Sequence, residues 1–497
     1  MKNIWIGIVA LGLVCSACTK EELVVIDREI ELDENSLEYQ DYLVERAIGF
    51  IKMYRFEKLK GVRDRIVDPE KKKEVDALYT EYRTIAENNG LYFVTAEKDT
   101  LFFLPAHETK PSERTGLGLV FNNAPNMVNS KGALYGFKNF PKVEILSFRY
   151  PLTSELHDLE YMPNLKQFGW ELVPRDFEER YPNEEFAPTK LKADFSKNSK
   201  LETMVLIYAS MAELKFPPHK LKQVELRTGG IFNDNDNLNN LHVNHFRASS
   251  GITSVRPELT LKNHYIDSLE LWTPDLKSID VSDTKLLTAI LSGRDLEKVK
   301  LNNTLTKLQI AGTNLLSAAE APASLEFLNL SSKAFTDKNF SHLTRLKELV
   351  VEDGISHDGL SLPANIESIT LNRGTITGSS IDYSTFNGLT VFNTRDMSFD
   401  KAPAFPSSLS KLNLSGTRLP ANATLDLSNL TNLGFLRVHA YNSQPFTLIL
   451  PDNLTEAAVV AGFGRVNSRG GTIMLPVGST IVNAPEWLSQ YIYIGAL

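Results

Sequence analysis

The sequence predicts a solenoid: a chain wound into stacked coils, each adding a short parallel β-strand to a common sheet, preceded by a small α+β N-terminal domain. Three observations carry this. Apolar lines of one type recur about every twenty residues, a shorter apolar pair lies midway between them, and the turns share residue types. The stretch LKSIDVSDTKLLTAILSGRDLEKVKL, residues 276–301, shows the rhythm. Leu276, Ile279 and Val281 are followed by Leu286, Ala289 and Leu291, then by Leu296, Val299 and Leu301.

Composition sets the bounds. The 497 residues are 42% apolar and 23% charged, with net charge −8 and both signs spread along the chain. That balance argues against a nucleic-acid partner, which calls for a basic patch or stripe. After residue 20 no stretch has the ~20 apolar residues of a membrane helix. The cysteines are Cys15 and Cys18 alone. The rest of the chain therefore has no disulfide framework, thiolate metal site or cysteine nucleophile.

The first residues read as a secretion leader: Lys2, an apolar run from Ile4 to Val14, then small residues. Ser16-Ala17-Cys18 resembles a bacterial lipobox, with Cys15 where leucine is usual. Residues 1–17 are then a signal peptide, and 18–34 a lipidated Cys18 with its tether. Acyl chains there would hold the protein at about 0.8 kcal/mol per buried methylene. Thr19-Lys20-Glu21-Glu22 resembles the surface-export signal of Bacteroidetes lipoproteins. The expected location is the outer membrane, lipid-anchored and exposed at the cell surface.

Residues 35–135 read as an α-rich capping domain with a hairpin. Leu37, Tyr39, Leu43, Ala47, Ile48, Ile51 and Tyr54 recur at helical spacing after a capping Asn35 or Ser36. Pro69 opens a second helix through Val75, Leu78, Tyr82 and Ile85, and Asn88-Asn89-Gly90 ends it. Leu91–Val94 and Leu101–Leu104 then read as hairpin strands. Residues 105–135, with their prolines and glycines, read as an irregular connection.

Residues 136–465 are the predicted solenoid. Its anchors, the middle residues of the apolar lines, are Leu146, Phe168, Met204, Val224, Leu241, Leu269, Ala289, Leu308, Leu328, Leu349, Ile369, Phe392, Leu412, Leu436 and Ala457. Their mean spacing is about 22 residues, inside the leucine-rich-repeat window. The wide gap after Phe168 contains DFEERYPNEEF, an insertion. Nine successive spacings of 19 to 24 residues, from Leu269 to Ala457, argue against chance in an alternating-strand sandwich. Midway pairs such as Leu259 and Leu261, Ile279 and Val281, and Leu425 and Leu427 place a second short strand in each coil. Ala311-Gly312-Thr313 and Ser415-Gly416-Thr417 share one turn plan. Pro217, Pro363, Pro406 and Pro451 each stop a strand. Residues 466–497 read as a C-terminal cap.

The lines LKSIDVSDTKLLTAILSG, LTKLQIAGTNL and LDLSNLTNLGFLRV resemble the leucine-rich repeats of Bacteroidetes surface lipoproteins and internalin-like proteins. This resemblance covers about residues 140 to 460. A regular Asn or Cys ladder is missing, and Gly-Thr and hydroxyl residues stand in for it.

In such a coil the residues flanking each anchor face outward. Two sets follow. Trp272, Glu270, His242 and Asn244 join an aromatic platform to polar groups. Arg395, Lys411, Arg437 and His439 gather positive charge, which favours an acidic partner. No spacing places a metal or a cofactor. His242 and His245 have no third ligand. Asn233-Asp234-Asn235-Asp236-Asn237 lacks the glycine and glutamate of a calcium loop. Walker, dinucleotide and nucleophile-elbow motifs are absent from the sequence. The expected function is not enzymatic: the solenoid face binds a macromolecule, either a protein ligand or, alternatively, a glycan as an accessory to a nutrient-uptake system, with an enzyme kept as the third reading.

Overall fold

The computed structural model describes residues 36–495 except 55, 96–99, 104–109, 121–131, 150, 152, 172–188, 208, 228–237, 250–257, 273–275, 353–354, 357–359, 377–381, 441–442 and 462–471. The leader, Cys15, Cys18, the tether, the acidic insertion and the Asn233–Asn237 run lie outside the described residues. Two compact units divide the chain: residues 1–237 with 241–244, and residues 238–240 with 245–497.

The first unit begins with helix Leu37–Lys52, whose N-cap Ser36 accepts the Tyr39 amide. Helix Phe56–Arg63 follows; the sequence pattern gave no sign of it. Helix Pro69–Asn89 has Pro69 in its first turn and Asp68 as cap, accepting from the amides of Glu70 and Lys71. The three pack around Leu43, Ala47, Ile51, Phe56, Leu59, Ile66, Val75 and Ala86. Buried Gln40 ties the loop between the helices, donating to the Arg65 carbonyl and accepting from the Val67 amide. The hairpin then forms, Leu91–Thr95 antiparallel to Thr100–Phe103.

The supposedly irregular 105–135 holds two strands. Gly116–Val120 pairs in parallel with Ile145–Arg149, so it is the first strand of the main sheet. Its Leu117 stands opposite Leu146. Gly132–Tyr135 pairs antiparallel with Leu91–Thr95 and parallel with Glu155–Leu156. The hairpin is thus hydrogen-bonded into the unit's second sheet, which continues through Thr189–Asp194 and Ala209–Lys215. At Gly136 the chain turns with φ +97°, and a Cβ there would lie 2.5 Å from the Gly90 carbonyl oxygen, so glycine is required. The main sheet runs on through Gln167–Glu171, Thr203–Ile207 and Leu221–Arg227, each parallel to the last.

In the second unit the main sheet follows chain order from Val243–Ser249 through Ile266–Trp272, Thr288–Ser292, Lys307–Leu316 and Phe327–Phe335. It continues through Glu348–Glu352, Ser368–Ile376, Val391–Phe399, Lys411–Ser415 and Phe435–His439. The anchors align in one register: Ala289, Leu308, Leu328, Leu349, Ile369, Phe392, Leu412 and Leu436 stand opposite one another and are fully buried. On the other side Leu259, Ile279 and Val299 align in three-residue strands, as do Leu425, Leu448 and Ile481.

Two anchors are corrected. In strand Val243–Ser249 the buried residues are Val243, Phe246 and Ala248, so the anchor is Phe246 and not Leu241. Leu241 is buried in the turn ahead of that strand. The spacings on either side become 22 and 23 residues, matching the rest. Ala457 lies in a short helix, Glu456–Ala461. The strand that continues the ladder after Phe435–His439 is Ile473–Leu475, followed by Ile492–Ile494.

The coils are clasped at their turns. Pro322, Pro363, Pro406 and Pro451 each open a turn by accepting the amide three residues on. The residue four before the anchor bonds the preceding coil, and side-chain length selects the carbonyl. The hydroxyls of Thr304, Ser324 and Ser408 reach Leu286, Leu305 and Leu389. The longer amides of Asn164, Asn365 and Asn432 reach Pro141, Thr344 and Ser407, two residues earlier in their coils. One row further out, Lys166 pairs with Glu144 and Lys222 with Glu202. Of the two glycine turns, Gly416 is left-handed at φ +65°, whereas Gly312 stays inside a strand.

Candidate functional site

Along each main-sheet strand, burial alternates, so the residues one before, one after and three after the anchor point outward. In-register pairing turns these positions into continuous rows across successive coils.

The first cluster sits on the two strands Val243–Ser249 and Ile266–Trp272. Glu270, 14% exposed, is its centre. The indole Nε1 of Trp272 donates to Glu270 Oε1 at 2.6 Å. Arg247 Nε lies 3.2 Å from the same oxygen, and His245 Nε2 lies 3.4 Å from Oε2. His245 Nδ1 contacts Ser268 Oγ at 3.1 Å. The sequence pattern places His242 and Asn244 in this cluster; the structure puts His245 and Arg247 there instead. His242 precedes the strand, where its carbonyl accepts the Leu221 amide, and Asn244 is an exposed residue two positions before the anchor. Trp272 remains 40% exposed beside the group.

Ser268, His245 and Glu270 are the atom types of a nucleophilic relay. Glu270 is already shared with a guanidinium and an indole, which lowers its power to polarise histidine. What the cluster can do is fix an indole face and a neutralised carboxylate in place.

The fold is that of a leucine-rich-repeat solenoid. The register of the strands carries that assignment. No family model matches the chain, and no curated protein matches it. Similar solved structures include an internalin (InlF) of Listeria monocytogenes str. 4b F2365, at 12% identity over 78% of this chain and 91% of that one, with TM-score 0.27. The functional domain of InlJ from Listeria monocytogenes, which includes a cysteine ladder, shows 16% identity over 72% and 78%, with TM-score 0.28. YopM of Yersinia enterocolitica WA-314 shows 14% identity over 69% and 90%, with TM-score 0.23.

Arg395, Lys411, Arg437 and His439 lie at outward positions on three neighbouring strands. Val391, Lys411 and Phe435 stand opposite one another, as do Asn393, Asn413 and Arg437, and then Arg395, Ser415 and His439. Lys411 Nζ lies 5.1 Å from the Phe435 ring centroid, a cation–π contact. Arg437 Nε and Nη2 each lie 3.4 Å from a ring nitrogen of His439. Partial burial holds the Arg437 guanidinium below its usual range. Arg395 is exposed, and its nearest carboxylate is Asp396 at 3.9 Å. The described residues hold no group of metal-ligating side chains.

Proposed function

We propose that this chain is a lipid-anchored surface protein that binds a protein partner through the outer face of its main sheet. One observation carries the binding face: Lys411 and Arg437 stand on adjacent strands with no carboxylate in ion-pair reach among the described residues, and Arg395 lies one strand away. Charge left unpaired on a rigid sheet favours an acidic partner surface and steers its approach. Cys18, after its small-residue run, supplies the thiol for the lipid. The chain is read as a binder because its outward rows present basic side chains on neighbouring strands.

A photo-crosslinker at Asn413 on intact cells recovers the partner, and its affinity is then measured for variants. Reversing Arg395 and Arg437 to Glu together lowers affinity about tenfold or more, and added salt weakens wild-type binding. The second reading, a glycan ligand of a nutrient-uptake system, rests on the half-exposed Trp272 face beside Glu270. It predicts instead that Trp272→Ala abolishes binding and that salt has little effect. If neither substitution matters, the sheet face is not the binding surface. Cys18→Ala abolishes incorporation of labelled palmitate, and protease added to whole cells removes the wild-type chain if it faces outward.

A further inference from the structure

The face that carries the basic cluster also has an acidic end. On the strand Glu348–Glu352, Glu348 and Glu352 occupy outward positions. Glu348 shares its row with Ser368, Val391, Lys411 and Phe435. Glu352 accepts from Asn372 Nδ2 at 3.0 Å, and Asn372 stands opposite Arg395, which leads on to Ser415 and His439. Between these ends the middle row is uncharged: Thr370, Asn393 and Asn413. Among the described residues neither glutamate has an ion-pair partner. Neither do Lys411 and Arg437. Earlier arginines of the outer face are paired: Arg149 with Glu171, Arg227 with Glu225 and Arg247 with Glu270.

We infer that this face binds an extended peptide segment of the partner that is basic at one end and acidic at the other. The basic end lies over Glu348 and Glu352, the acidic end over Lys411 and Arg437, and the segment crosses the amide floor between them. Three strand steps of about 4.8 Å lead from the glutamates to Lys411 and four to Arg437, about 14 and 19 Å, which an extended peptide covers in about four to six residues. Thr370, Asn393 and Asn413 offer both donors and acceptors, which suits the amides of a peptide backbone. A sulfated or uronate glycan carries one sign of charge and would meet repulsion at the Glu348–Glu352 end. The charge pattern therefore favours a peptide. This inference rests on the binding face proposed above and adds the chemistry and direction of its ligand.

The test uses the full chain and fluorescent ten-residue peptides, read by anisotropy. One peptide has two lysines at its amino end, two aspartates at its carboxyl end and six Ser, Thr or Asn residues between. Its reverse is the second, and an isomer with alternating charges is the third. One block-charged peptide is expected to bind about tenfold tighter than the alternating isomer. Arg437→Glu removes that preference. Glu348→Lys with Glu352→Lys reverses the choice, so that a peptide with aspartates at both ends becomes the best ligand, a gain that misfolding cannot produce. Equal binding of the isomers, no binding at millimolar peptide, or tighter binding of a heparin-type oligosaccharide overturns the inference. If the isomers fail to differ while the Arg395 and Arg437 reversals still abolish partner binding, only the bipolar peptide is wrong. If both fail, the binding face falls with it.

Discussion

Individual side chains in this protein show how completion of polar contacts separates structure from function. Glu270 is satisfied: a guanidinium, an indole and an imidazole surround one carboxylate, and their joint effect is to hold Trp272 in place. Glu270→Ala is expected to release the indole and red-shift part of the tryptophan emission, while buried Trp170 continues to emit as before. Tyr383 is the opposite case. It is 1% exposed, packed among Phe386, Phe392 and Phe405, and its hydroxyl has no partner among the described residues. Burial raises its hydroxyl pKa far above the ordinary range. An orphaned buried hydroxyl costs about 1–3 kcal/mol. Tyr383→Phe should therefore raise the unfolding midpoint in urea, with no change in the denaturant slope. A lowered midpoint would show that the hydroxyl has a partner.

At the scale of the element, one recurrent turn joins coil to coil. Asp280-Val281-Ser282 and Asp426-Leu427-Ser428 each place an Asp carboxylate on the amide of the serine two residues on, and Asp194-Phe195-Ser196 does the same. Asn339-Phe340-Ser341 is an amide version. At Asp194 and Asp280 burial pushes the carboxyl up, but bonds from Ser196 and Ser282 and the ammonium groups of Lys215 and Lys300 bring it below the usual range. Bonds from Ser428 lower Asp426. A carboxyl held low when folded stabilises above its unfolded value of about 3.9 and loses that contribution as pH falls through the folded value. Asp280→Asn with Asp426→Asn should cost stability at pH 7 and flatten the stability curve between about pH 5 and 2, as followed by circular dichroism. Much of this layer was legible, because burying one face of a strand forces period two and stacking forces period twenty-odd. Failures have particular causes. Gly116–Val120 is too glycine-rich to read as a strand, and only pairing with Ile145–Arg149 makes it one. Leu241 imitates an anchor because it is buried in a turn. Its distance of five from Phe246 is odd, so the slip exchanged inward and outward faces. That is why the sequence pattern turns Arg247 inward, whereas Arg395, Lys411, Arg437 and His439, counted from true anchors, fall on outward rows. The lone charges of Glu348 and Glu352 were visible as residues but not as one pole of a face, since unpaired status depends on three-dimensional neighbours.

At the scale of the whole molecule, a stack of coils is stabilised mainly between neighbours, so damage should stay local. Leu328→Ala removes a fully buried anchor and should cost about 2–5 kcal/mol. Hydrogen exchange should accelerate in strands Lys307–Leu316, Phe327–Phe335 and Glu348–Glu352, while the helices around Leu43 and Ala47 keep their protection. Uniform acceleration would instead mean that each unit opens as one. The charged row of Glu144, Lys166, Glu202 and Lys222 adds a constraint of arithmetic. Excising a single coil seats Glu144 beside Glu202 or Lys166 beside Lys222, like against like. Excising two restores opposites. Length in this stretch can thus change more easily in even steps, so the row works as a parity bit written in charge.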